Sequence, residues 1–106
     1  MSTTTPDLQK KYYNVIVASG SGSVTLPEGM AHKLLQIVII APVSSTSFKM
    51  YIEETRDNIE VFRRDDDLIG TYNEIMQPVV PLFGNHILYI TNASADGTFK
   101  VRIVYE

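Results

Sequence analysis

The 106-residue chain has no cysteine, no tryptophan and only two histidines. Without cysteine there is no disulfide, no thiolate nucleophile and no cysteine metal site. His32 and His86 stand far apart, and neither has a neighbouring ligand at metal spacing, so no metal or other cofactor is expected. Positive charge is not in excess. Nine Lys and Arg face twelve Asp and Glu, for a net charge of −3, so the broad basic footprint of a nucleic-acid binder is missing. Long apolar runs are missing too. The longest, Leu34 to Val43, is broken by Gln36 and Pro42, well short of the roughly 20 residues of a membrane span. The opening residues Met1 to Asp7 are polar and lack the apolar stretch of a signal peptide. The expectation is a protein with no nucleic-acid or membrane partner.

What is present is ordinary for one globular domain: 44% hydrophobic and 20% charged residues. Residues 1–11 read as an N-terminal arm, rich in Ser and Thr and ending in Lys10-Lys11, and residues 12–106 as a β domain. Short strand-like runs recur from Tyr12 onward. Tyr12 to Ala18 ends at the flexible Ser19-Gly20-Ser21-Gly22 turn, and Ser23 to Leu26 stops at Pro27. Leu34 to Ala41 is the most apolar stretch, with Ile37, Val38, Ile39 and Ile40 consecutive, and predicts a strand covered on both faces. Phe48, Met50 and Ile52 alternate with Lys49, Tyr51 and Glu53, and a turn at Thr55 to Asn58 predicts a hairpin with Ile59 to Arg63. His86 to Thr91, the Asp96-Gly97 turn signal and the alternating Phe99 to Tyr105 predict a second hairpin. Pro27 to Gln36 and Asp67 to Gln77 also fit helical spacing, although Gly70 and the surrounding strands favour an extended chain for the latter. The expected fold is all-β: a single antiparallel β-sandwich, jelly-roll or immunoglobulin-like, with an extended N-terminal arm.

Candidate chemistry is sparse. Asp65-Asp66-Asp67 follow Arg63-Arg64, which supply neutralising partners. Three consecutive carboxylates do not converge as a calcium site requires. His86, beside Gly84-Asn85, reads as part of a surface turn. Ser19 to Ser23 has the composition of a phosphate loop but neither its lysine nor a following helix. Asn92-Ala93-Ser94 fits a glycosylation sequon and reads more simply as a turn. No acid, base and nucleophile assemble, so an enzyme is not expected. Tyr12, Tyr13, Tyr51 and Tyr72 are the aromatic residues that could stack on a sugar.

The informative feature is apolar excess. Leu34 to Ile40, Val61-Phe62 and Ile87 to Ile90 carry large side chains on both faces, whereas a two-layer sandwich buries one face of each sheet. Ile75 to Gly84 holds Met76, Val79, Val80, Leu82 and Phe83, with Pro78 and Pro81 expected to block regular pairing. Such a surplus either aggregates, is covered by the chain's own loops and N-terminal arm, or is covered by a partner, and a partner is the expectation. The expected contact residues are Leu8, Tyr12 and Tyr13 near the arm and Met76, Val79, Val80, Leu82 and Phe83 in the proline-bounded segment.

The run VTLPEGMAHKLLQIVIIAPVSSTSFKMYIEETRDNIEVFRRDDDLIGTY, followed by HILYITNASADGTFKVRIVYE, resembles small β-sandwich virion proteins of tailed bacteriophages, over residues of about 12 to 106. The resemblance implies a non-enzymatic part on the capsid exterior, most often a decoration or cement protein that binds adjacent major capsid subunits. It also implies a homo-oligomer, commonly a trimer, with an arm reaching to neighbours. A tail or neck component uses the same physics on a different partner, and a carbohydrate-binding module on a virion surface or tail is the rival class.

Overall fold

The structure, a computed structural model, describes residues 9–26, 32–82 and 84–106. The described residues contain eight strands: β1 (Gln9–Val17), β2 (Gly22–Thr25), β3 (His32–Ile40), β4 (Ser47–Glu54), β5 (Ile59–Ile69), β6 (Thr71–Leu82), β7 (His86–Thr91) and β8 (Gly97–Tyr105). All pair antiparallel, in two four-stranded sheets. Sheet I has the order β1-β8-β3-β6 and sheet II the order β2-β7-β4-β5. That order is the eight-stranded jelly roll rather than the immunoglobulin arrangement.

Period-2 alternation fills the space between the sheets. Phe48, Met50 and Ile52 of β4 and Phe99, Val101 and Ile103 of β8 point inward and are buried. The Phe48 and Phe99 rings meet edge to face at 5.3 Å, tying sheet II to sheet I. In β3, Ile37 and Ile39 are buried while Val38 is only half-buried and Ile40 is exposed. The apolar run is therefore covered on one face alone, contrary to the two-sided burial its composition suggests.

The expected β4–β5 hairpin forms. The expected β7–β8 hairpin does not, because β7 lies in sheet II and β8 in sheet I. The intervening loop is fastened to other segments. Ala93 N–H donates to the Gly20 carbonyl at 3.0 Å and Ser94 N–H to the Ser47 carbonyl at 2.9 Å. The Asp96 carboxylate accepts the N–H groups of Ser19 and Gly20, both at 3.0 Å. Those two residues have φ of 54° and 82°, as a tight two-residue turn between strands requires.

Residues Asp67 to Gln77 are extended, as favoured, with the chain turning at Gly70 between β5 and β6. Gly70 has φ of 68°, and a Cβ there would stand 2.6 Å from the Ser44 carbonyl oxygen, so only glycine fits. The helical alternative for Pro27 to Gln36 fails from His32 onward, where β3 begins; its first five residues lie outside the described ones. Pro78 and Pro81 do not end the strand. β6 is an edge strand, and Pro78 sits where Met76 to Val79 bulge opposite Leu35, so no ladder bond is lost to it. β1 begins at Gln9, so Gln9 to Lys11 pair with β8 instead of belonging to an arm.

Candidate interaction surface

Each sheet has an outer face whose residues follow from the strand register. On sheet I the cross-strand rows are Lys10-Val104-Gln36-Ile75, Tyr12-Arg102-Val38-Asn73, Asn14-Lys100-Ile40-Thr71 and Ile16-Thr98. No carboxylate occurs in these rows, and Lys10, Lys100 and Arg102 make them basic. Tyr12, Ile16, Ile40 and Ile75 are exposed. Gln36 Nε2 donates to Asn73 Oδ1 at 2.8 Å, and Arg102 Nε is buried without a partner among the described residues.

On sheet II the central row is Ser23-Tyr89-Tyr51-Arg63. The Tyr51 and Tyr89 rings stack with centroids 4.6 Å apart, and the Arg63 guanidinium lies 4.8 Å from the Tyr51 centroid. Arg63 is in turn held by Glu60 and, at 2.7 Å, by Asp65, and these bonds favour its charged form. Burial followed by the neighbouring Tyr89 pushes the Tyr51 phenol up. The three aspartates are a bulge in β5 opposite Lys49. Arg63 partly neutralises it, as the sequence suggests, within a strand instead of a turn. Among the described residues no group of His, Asp and Glu converges as a metal site.

Between the sheets, the side opened by the β5 and β6 edges is closed by a polar latch. Arg64 Nε donates to Glu74 Oε1 at 2.7 Å, its Nη2 donates to Glu74 Oε2, and the Tyr72 hydroxyl donates to Glu74 Oε1 at 2.8 Å. Arg64 holds the Glu74 carboxyl below its usual range. Burial and the bond to Glu74 push the Tyr72 phenol up. Val79 and Val80 line the shallow groove of about 270 Å³ beside this latch.

A larger open groove of about 680 Å³ lies at one end of the sandwich, lined by Glu54, Arg56, Ile59, Pro81, Asn85 and His86 among others. His86 is buried, not part of a surface turn. Burial lowers its pKa. A backbone bond at Gly84 and then Glu54 oppose that shift, and the two Glu54 oxygens accept the N–H groups of Arg56 and Asp57, each at 2.9 Å. The Thr55 hydroxyl donates to the Asn85 carbonyl at 3.2 Å. The polar atoms of Glu54 and Thr55 thus serve the turns that form the groove.

The expected contact residues are divided by the fold. Tyr12 and Val79 are exposed, Tyr13 and Val80 half-buried. Burial, with Tyr105 beside it, raises the Tyr13 phenol to about 12. Met76 and Leu82 point into the core, so they hold the sheets together and present nothing to a partner. Leu8 and Phe83 lie outside the described residues. Sequence reading missed Ile16, Ile40 and Ile75, the exposed residues on the face of sheet I. Their only signal was a large side chain at the outward parity of a strand.

No protein-family model matches the chain, and neither does any curated protein. The solved structures with some similarity to it include two. One is a CBM36 carbohydrate-binding module in complex with calcium and xylotriose, with a TM-score of 0.39 and 11% identity over 99% of this chain and 90% of that one. The other is a chain in the structure of infectious bursal disease virus, Gx strain, with a TM-score of 0.38 and 13% identity over 98% of this chain and 34% of that one.

Proposed function

We propose that this chain is a non-enzymatic structural protein of a virus particle, of the tailed-phage decoration type, which docks on neighbouring coat subunits through the outer face of sheet I. The observation that carries the reading is that face itself: exposed Tyr12, Ile16, Ile40 and Ile75 set among Lys10, Lys100 and Arg102, with no carboxylate in its rows. Burying an isoleucine contributes about 1.5–3 kcal/mol. The basic groups select a partner rich in carboxylates and speed its encounter at low salt. Four strands about 4.8 Å apart, each near nine residues of about 3.3 Å, give a flat face of roughly 600 Å². A standard interface takes about 800 Å² from each partner. One such contact is therefore modest, and repetition around a shell supplies the remaining affinity.

The test is sedimentation of particles from the source. The chain should run with genome-filled particles beside a coat protein and leave them as salt is raised. Ile40→Glu and Ile75→Glu should each reduce particle binding at least tenfold with an unchanged circular dichroism spectrum. A chain that stays at the top of the gradient, or variants that bind as well as the parent, would sink the reading.

One observation favours a second reading. The stacked Tyr89 and Tyr51 rings, with small Ser23 beside Tyr89, form an aromatic shelf on which a sugar ring could lie. In that reading a glycan array gives a hit that Tyr89→Ala removes.

A further inference from the structure

A sandwich has four strand edges, and each exposes backbone donors and acceptors to any extended chain. Three are blunted here. β6 carries Pro78 and Pro81 and a four-residue bulge. β5 is broken by the bulge of Asp65 to Asp67. β2 has four residues. β1 has nine, without proline or glycine, and pairs with β8 residue by residue with no register break. It also bears Tyr12, 71% exposed, and Ile16, 74% exposed, the two most exposed of the large hydrophobic side chains described.

The hydrogen-bonding direction along this edge can be read from its end. Ala18 exchanges both backbone bonds with Ser21, at 3.0 and 3.3 Å, so its N–H and C=O point away from β8. Along an unbroken antiparallel strand that direction recurs every second residue. The N–H and C=O groups of Lys10, Tyr12 and Asn14 therefore point out of the sheet edge. No partner among the described residues meets them. From Ile16 onward the edge is covered by the turn into β2, which leaves Lys10 to Asn14 as the open stretch.

We propose that two copies of this chain pair through this stretch, antiparallel about a twofold axis at Tyr12, joining their sheets I into one eight-stranded sheet. The charge pattern selects this arrangement. In the antiparallel register Tyr12 meets Tyr12 of the second copy, Lys10 meets Asn14 and Lys11 meets Tyr13. A parallel in-register pairing would set Lys10 and Lys11 against their own copies, which is destabilising. The antiparallel contact is isologous and closes at two subunits, in contrast to the trimer implied by resemblance. It uses backbone groups at the edge whereas the docking reading uses the face; Lys10 and Tyr12 belong to both, and Ile40, away from the edge, separates them.

The experiment is sedimentation equilibrium of the full chain over a wide concentration range, with hydrogen exchange followed at each concentration. The mass should rise from 11.9 kDa toward twice that value. The amides of Tyr12 and Asn14 should become protected as it does, and the Ile40 amide should not change. Asn14→Pro removes an outward N–H that β8 does not use, and should weaken pairing at least tenfold. If that variant fails to fold, Tyr12→Lys, which sets two cations together on the axis, should do the same. Ile40→Glu should leave the dimer intact while it abolishes docking. The proposal is overturned by a chain that remains monomeric at the highest concentrations. It is overturned equally by a dimer that is indifferent to both edge variants, by one lost in Ile40→Glu, or by one lost only on removal of residues 1–8.

Discussion

The central rows of the two outer faces are built to the same register and end in opposite states. On sheet II, Tyr89 stacks on Tyr51, Arg63 covers Tyr51, and Glu60 and Asp65 hold Arg63. That row satisfies itself with groups from its own chain. On sheet I, Tyr12, Arg102, Val38 and Asn73 occupy the equivalent positions, with Tyr12 in solvent and Arg102 Nε buried without a partner among the described residues. An apolar excess read from sequence is therefore not evenly distributed. One face consumes its aromatics internally, and the other keeps exposed apolar groups beside cations that make no ion pair among the described residues.

The bluntest way to break the contrast is to remove what both faces share. Phe99→Ala empties the edge-to-face contact with Phe48 at the centre of the core. It should cost about 3–5 kcal/mol, much of the total for a small domain, and a urea titration should find both sheets lost in one transition. A finer cut separates the faces. Tyr51→Ala and Tyr89→Ala, combined in a double-mutant cycle, should show a coupling of about 0.5–1.5 kcal/mol while particle binding stays unchanged. Ile75→Glu should do the reverse, changing stability by no more than about 0.5 kcal/mol because the site is exposed. Loss of particle binding in the tyrosine variants would erase the distinction between the faces. Arg64→Ala tests the latch between them. The group is partly exposed, so the loss should be about 1 kcal/mol, read as a lowered urea midpoint. An unchanged midpoint would show that the bonds to Glu74 add nothing net.

Much of this was legible in the residues. Strict alternation at Phe48 to Glu53 and at Phe99 to Tyr105 fixes which side chains enter the core, because a strand has no other way to sort them. The β4–β5 hairpin follows from a short turn between two such runs. The β7–β8 connection carries an equally good turn signal and is a crossover between sheets. Local pattern could not decide this, since it is settled by bonds from Ala93, Ser94 and Asp96 to segments some fifty to eighty residues away in the chain. Pro78 misled in the same manner. Proline forbids a central strand, and only topology reveals that β6 is an edge. Of the expected contact residues Tyr12 and Val79 are exposed, but Met76 and Leu82 face the core, which was hidden because strand parity across a bulge cannot be counted from sequence. Burial of His86 was equally hidden, for its neighbours Gly84 and Asn85 signal a turn.

The smallest effect expected is one of pH, and it sharpens the contrast because it acts on sheet II alone. His86 begins β7, pairs in register with Glu54 of β4, and accepts the Leu26 N–H at its carbonyl at 2.9 Å. Its ring is buried, so burial favours the neutral form and lowers the pKa below the ordinary 6.5, with a backbone bond at Gly84 and then Glu54 opposing in part. The unfolded chain therefore binds a proton that the folded one refuses in the interval between 6.5 and the lowered value. Stability contributed by the neutral ring is complete above that interval and is lost as pH falls through it. Hydrogen exchange compared above and below pH 6.5 should show the Leu26 amide and the first residues of β7 opening sooner in acid, with the β1–β8 ladder unaffected. His86→Gln, which cannot protonate, should abolish that difference. A uniform loss of protection in both sheets would mean that acid acts through the whole fold, and the buried imidazole would then have no separate part in it.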